Sequence, residues 1–134
     1  MEAARDDVVV RRVEIEAEAD DVWRSLATDE DRAEWMGGDT ALDLRPGGCG
    51  FVTDERGTRR EVLVHDVEPG RRLSFDWWSE DDEPSHVQFT LQPTEVGTEV
   101  TVTERPLVPR ARLSGAGAAM QASLALRVAG RVLV

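Results

Sequence analysis

Few side chains of this chain are equipped for chemistry, and they stand far apart. Its two histidines are His65 and His86, and its one cysteine is Cys49. Neither histidine has a carboxylate or a second histidine at metal-ligand spacing along the chain, so no metal site is expected. His86 alternates with Val87 and is expected to face outward or to edge a sheet; the facing of His65, within Val62 to Val67, stays open. Cys49 follows Gly48 at a strand start. With no general base in view, it reads as a small buried hydrophobe rather than a nucleophile. Gly47-Gly48-Cys49-Gly50 lacks the Lys-Ser/Thr ending of a phosphate loop and precedes no helix. No Ser-His-Asp set has a supporting local motif. The chain is therefore expected to have no catalytic residue, no metal and no cofactor.

What remains is apolar and periodic. Leu73, Phe75 and Trp77 occupy every second position, with Arg72, Ser74 and Asp76 between them. The same alternation recurs in Val87, Phe89 and Leu91 and in Val100 and Val102. This is the period of strands with one face in an apolar interior. Arg72 and Asp76 then point to solvent or pair across strands. The acidic run Glu80 to Glu83 reads as a solvated hairpin tip, or as a docking patch for a basic partner.

These residues need a scaffold, and the punctuation of the chain outlines one. Residues 1–7 are polar and read as a disordered tail. Val8 to Ala17 is a first strand. Asp20 is the expected N-cap of a helix carrying Val22, Trp23 and Leu26. Thr28 with Asp31 resembles a capping box for a second short helix, closed by Trp35, Met36 and the positive-φ stop Gly37-Gly38. Strands follow at Ala41 to Arg45, Cys49 to Glu55, Arg59 to Val67, Arg72 to Trp78, Ser85 to Gln92 and Glu99 to Glu104. They are joined by turns such as Pro46-Gly47-Gly48, Arg56-Gly57 and Pro69-Gly70. Such short connections predict an antiparallel meander. Ala116 to Val134, with Met120, Leu124, Val128 and Val132 four apart, predicts a terminal helix.

At 134 residues the chain reads as one domain over residues 8–134. Its net charge of −11, from 16 basic and 27 acidic side chains, argues against nucleic acid and anionic membrane surfaces as partners. A lone cysteine suits a reducing compartment. Met1 to Asp7 has no apolar segment of the kind that signals secretion, and no apolar run reaches the roughly 18 residues of a membrane span. A cytoplasmic location is expected.

Several phrases carry a resemblance. They are Val22-Trp23, Trp35, Leu44-Arg45-Pro46-Gly47-Gly48, the stretch from Val67-Glu68-Pro69-Gly70 through Leu73-Ser74-Phe75-Asp76-Trp77, and Gly97-Thr98-Glu99-Val100-Thr101-Val102-Thr103. In this order they resemble the activator of heat-shock protein 90 ATPase homologues, within the START-like (SRPBCC, birch-pollen-allergen-like) superfamily. The resemblance covers roughly residues 8–105. It implies an α+β helix-grip fold: a curved antiparallel sheet of about seven strands around a long C-terminal helix, with two short helices between the first two strands. It also implies a cavity between sheet and helix, with Trp35, Phe51, Phe75, Trp77, Phe89, Met120 and Leu124 around it. The expected function is non-enzymatic binding of a small hydrophobic or amphipathic molecule, lipids included. The alternatives are a co-chaperone-type protein-interaction module and a polyketide cyclase or aromatase. Homodimerisation is a further possibility that the resemblance carries.

Overall fold

The computed structural model describes residues 8–80, 82–107 and 132–133. The first strand, β1 (Val9–Ile15), leads into two short helices, α1 (Ala19–Ala27) and α2 (Asp29–Met36). A meander follows: β2 (Thr40–Leu42), β3 (Cys49–Thr53), β4 (Arg59–Glu68), β5 (Arg72–Trp78), β6 (Ser85–Pro93) and β7 (Thr98–Pro106). Each of these strands pairs antiparallel with the next, and β1 returns to pair with β7. The order across the sheet is β2-β3-β4-β5-β6-β7-β1-β8, where β8 is Val132–Leu133.

The turns form where positive-φ residues allow them. Gly70, with φ 80°, sits in a turn that the Arg71 N–H closes onto the Glu68 carbonyl at 2.8 Å. At the β3–β4 corner Gly57 has φ 87°, and Asp54 Oδ1 accepts from the N–H groups of Arg56 and Thr58 at 2.9 Å each. The Thr28 hydroxyl accepts from the Asp31 N–H at the start of α2, as the capping pattern implies, and Gly37 with φ 90° ends that helix.

The helices are held to the sheet from both sides. Val22 and Leu26 of α1 are fully buried in the core. Arg32 of α2 is also buried. Its Nε donates to Thr40 Oγ1 at 2.9 Å, and its guanidinium reaches the Leu26 carbonyl and Asp29. Burial lowers the Arg32 pKa and the Asp29 carboxylate opposes that shift. An arginine so held stays charged at neutral pH.

Three expectations need correction. The N-cap of α1 is Glu18, in extended conformation, so the helix begins two residues before the position expected of an Asp20 cap. The early start has a cause: the Thr98 hydroxyl donates to the Ala17 carbonyl at 2.8 Å, which fixes the chain at the exit of β1, and Asp20 and Asp21 then favour the first turn electrostatically. Cys49 is exposed rather than buried, because the neighbouring alternation gives the inner face to Val52. The helix expected over 116–134 cannot run to the end of the chain, since Val132 and Leu133 pair with Ile15 and Glu14 as a strand. The rest of that helix lies outside the described residues, as does the tail at 1–7.

The backbone of β1 comes very close at Gly97, where an added Cβ would stand 2.0 Å from the Ile15 carbonyl oxygen. Gly57 has nothing within 4 Å of such a Cβ and is limited only by its φ of +87°. Urea unfolding should therefore rank the two substitutions. Gly57→Ala is expected to cost about 1 kcal/mol, the price of a left-handed alanine, and Gly97→Ala clearly more, because β1 and β7 must part. Equal losses would show that the approach is relieved elsewhere.

Candidate functional site

The pleat of the central strands sorts their side chains into two sites on opposite faces of the sheet. On the inner face, Val64, Phe75, Val87 and Glu104 form one row across β4 to β7, and Val67, Leu73, Phe89 and Val102 form the next. Phe75, Trp77 and Phe89 are buried and touch. Phe75 meets Trp77 edge-on at 5.6 Å between ring centroids and lies nearly parallel to Phe89 at 6.3 Å. Offset and edge-on pairs of this kind add attraction beyond their buried area.

Two charged residues stand inside this apolar face, and the alternation explains how they come there. Arg60 occupies the inward position before Val62 and Val64 and is 1% exposed. Its guanidinium lies 5.2 Å from the Trp77 ring centroid, donates to Asp82 Oδ2 at 2.6 Å and comes within 3.5 Å of Asp54. Glu104 continues the inward series Val100, Val102 on β7 and is 2% exposed. Its Oε2 accepts from the Trp77 indole N–H at 3.1 Å, while its Oε1 is buried with no hydrogen-bond partner among the described residues. A buried carboxylate oxygen left without a donor is costly unless something else supplies one.

The residues expected around a cavity divide. Phe75, Trp77 and Phe89 are brought together on the inner face. Phe51 does not join them. It alternates with the buried Val52 and lies on the outer face, where the Arg59 guanidinium covers its ring at 4.0 Å. The side chain of Trp35, and Met120 and Leu124, lie outside the described residues. Arg60 and Glu104 were not anticipated. The signal for Glu104 was present, since Val100, Val102 and Glu104 share a parity, but its charge suggested an outward or terminal position.

The outer face holds a second cluster. Asp76 stands directly opposite His86 in the β5–β6 register, and a bulge between Val64 and Asp66 turns His65 of β4 outward beside them. A carboxylate only accepts, so the donors are the imidazoles: His65 Nε2 to Asp76 Oδ2 and His86 Nδ1 to Asp76 Oδ1, each at 2.8 Å. The ring centroids of the two histidines are 5.6 Å apart. Reading along the chain could not find this set, because its members come from three strands. Aligning the apolar faces of β5 and β6 pairs Asp76 with His86; the bulge that adds His65 has no sequence marker.

The acidic run is likewise less free than expected. Asp82 folds back onto Arg60, and Glu80 and Glu83 remain exposed at the β5–β6 corner.

Comparison with known proteins supplies the context. The Activator of Hsp90 ATPase homolog 1-like protein family matches residues 16–126. Comparison with curated proteins returns no match. Among solved structures, protein MLL2253 from Mesorhizobium loti is 26% identical with a TM-score of 0.68, over 76% of this chain and 78% of that one. DynU16, from the dynemicin biosynthetic locus, is 26% identical with a TM-score of 0.73, over 93% of this chain and 45% of that one. The Aha1 dimer from Colwellia psychrerythraea, at 17% identity and a TM-score of 0.72 over 87% and 89% of the two chains, shares the fold.

The Trp77–Glu104 bond is open to a double-mutant test. Trp77→Phe removes the only donor that the described residues supply to the Glu104 carboxylate and is expected to cost about 1–3 kcal/mol from the unpaired group, besides lost packing. Glu104→Gln, which keeps an acceptor for the indole, should be near neutral. A Glu104→Leu background, which offers the indole no acceptor, completes the cycle: there the cost of Trp77→Phe should shrink, as read by chemical denaturation, and strict additivity would mean that the bond contributes nothing.

Proposed function

The chain belongs to the Activator of Hsp90 ATPase homolog 1-like protein family, and on that premise we propose that it binds a small amphipathic molecule on the inner face of its sheet. One observation carries this reading: Glu104 Oε1, buried and without a donor among the described residues, beside a cluster of three aromatic rings. Small-molecule sites are mostly apolar, with a few polar groups that fix orientation. Here Phe75, Trp77 and Phe89 would contact the apolar body of the ligand, and Glu104 would accept from its hydroxyl or amine. In this proposal Met120 and Leu124 of the C-terminal segment, with Trp35, form the opposite wall. Affinity comes from apolar surface removed from water, at about 25 cal/mol per Å², less the cost of ordering. The protein acts as a non-enzymatic carrier or sensor, in the reducing compartment that its single, exposed thiol suits.

A second reading is favoured by the same oxygen. Glu104 is a carboxylate in an apolar setting and one of its oxygens is unengaged among the described residues, which is what a general base for a cyclisation needs. DynU16, from a biosynthetic locus, is similar along nearly the whole of this chain. A co-chaperone role has less to draw on: with Asp82 committed to Arg60, a basic partner would find Glu80 and Glu83 at that corner.

Native mass spectrometry and thermal shift with fatty acids, polyketides and aromatic alcohols and amines test the proposal. A one-to-one complex and a raised Tm are expected for compounds with a donor group. Glu104→Gln should weaken those compounds relative to their O- or N-methylated analogues. If no class binds or stabilises the protein, the carrier reading fails. If a bound polyketide is converted by the wild-type chain and retained intact by Glu104→Gln, the enzymatic reading replaces it.

A further inference from the structure

The outer face offers a function independent of the inner one. We propose that His65, Asp76 and His86 form a binding site for a divalent transition-metal ion of the zinc class. Their ligand atoms, His65 Nε2, His86 Nδ1 and a carboxylate oxygen of Asp76, all lie within 4.8 Å of one another. A tetrahedral ion at about 2.0–2.1 Å from each donor sets its ligands about 3.3–3.5 Å apart. The two His–Asp contacts at 2.8 Å would lengthen slightly, and the two imidazoles would draw together around the ion.

The donor chemistry selects the metal. Two imidazoles and one carboxylate suit zinc, cobalt or nickel, whereas magnesium and calcium prefer all-oxygen sets. Three backbone positions on adjacent strands hold the donors, so little ordering is left to be done on binding. The side chains of Asp76 and His86 are 14% and 18% exposed, and that of His65 is 44% exposed. The site is therefore anchored on its sheet side and open on the other, which leaves a coordination position for water or an oxygen-bearing ligand. The chain's net charge of −11 raises the local concentration of cations around it.

Two alternative roles for the cluster predict different behaviour. A purely structural Asp–His pair needs no ion. Adventitious capture by the exposed thiol of Cys49 would not depend on the histidines. The full chain, free of any affinity tag, is titrated with Zn²⁺ by calorimetry and with Co²⁺ by visible absorption, in a Cys49→Ser background. One ion per chain and a four- or five-coordinate cobalt spectrum are expected. His65→Gln, Asp76→Asn and His86→Gln should each weaken binding ten-fold or more while far-UV dichroism stays native. His65→Gln carries the test if the less exposed positions disturb folding. No uptake of either ion overturns the proposal, and so does binding that His65→Gln leaves unchanged.

Discussion

Successive side chains of a strand cannot share a face, and in β5 this constraint divides the chemistry of the molecule in two. Leu73, Phe75 and Trp77 go inward and build the aromatic floor, while Asp76, lying between two of them, goes outward to meet His86. A slip of one residue in the pairing of β5 would expose the rings and bury the carboxylate at the same time. The register is accordingly held at both ends. The turn at Glu68 to Arg71 fixes it on the β4 side, and on the other side the aligned apolar rows of β5 and β6 do so.

The inner face tolerates two charged groups because they share one aromatic ring. Arg60 approaches the Trp77 ring and Glu104 accepts from its indole N–H, so the tryptophan meets a cation with its π-system and an anion with its polar edge. Arg60 is further met by Asp54 and Asp82, which come from the β3–β4 and β5–β6 corners. A buried cation thereby ties two loops to one end of the sheet. Such a group adds little net stability over an apolar replacement, but removing one partner leaves the others stranded in a medium that solvates them poorly. Among the described residues Glu104 Oε1 is the atom of this set that meets no donor.

The bulge at His65 links the two faces. Val62 and Val64 face inward, and so does Val67, three positions on; strict alternation would send Val67 outward. The extra residue absorbs the difference and leaves His65 and Asp66 both on the outer side. One local irregularity thus keeps the apolar row continuous and also completes the histidine–aspartate cluster.

Period and punctuation alone determined much of this protein. The meander from Thr40 to Pro106, the two short helices, the Thr28 cap, the Gly37 stop and the burial of Phe75, Trp77 and Phe89 all follow from local alternation and turn chemistry, which act over a few residues. Cys49, Phe51, Arg60 and Glu104 were not legible in the same way. Each has a side chain whose type suggests one face, and strand parity assigns the other. The start of α1 was set by a hydroxyl 81 residues away in sequence. The joining of His65 with Asp76 and His86 required both a register and a bulge. Short-range preferences can be read along the chain because their energy resides in neighbours; which distant strands meet, and at which residue, is decided only when the sheet closes and all its rows must match at once.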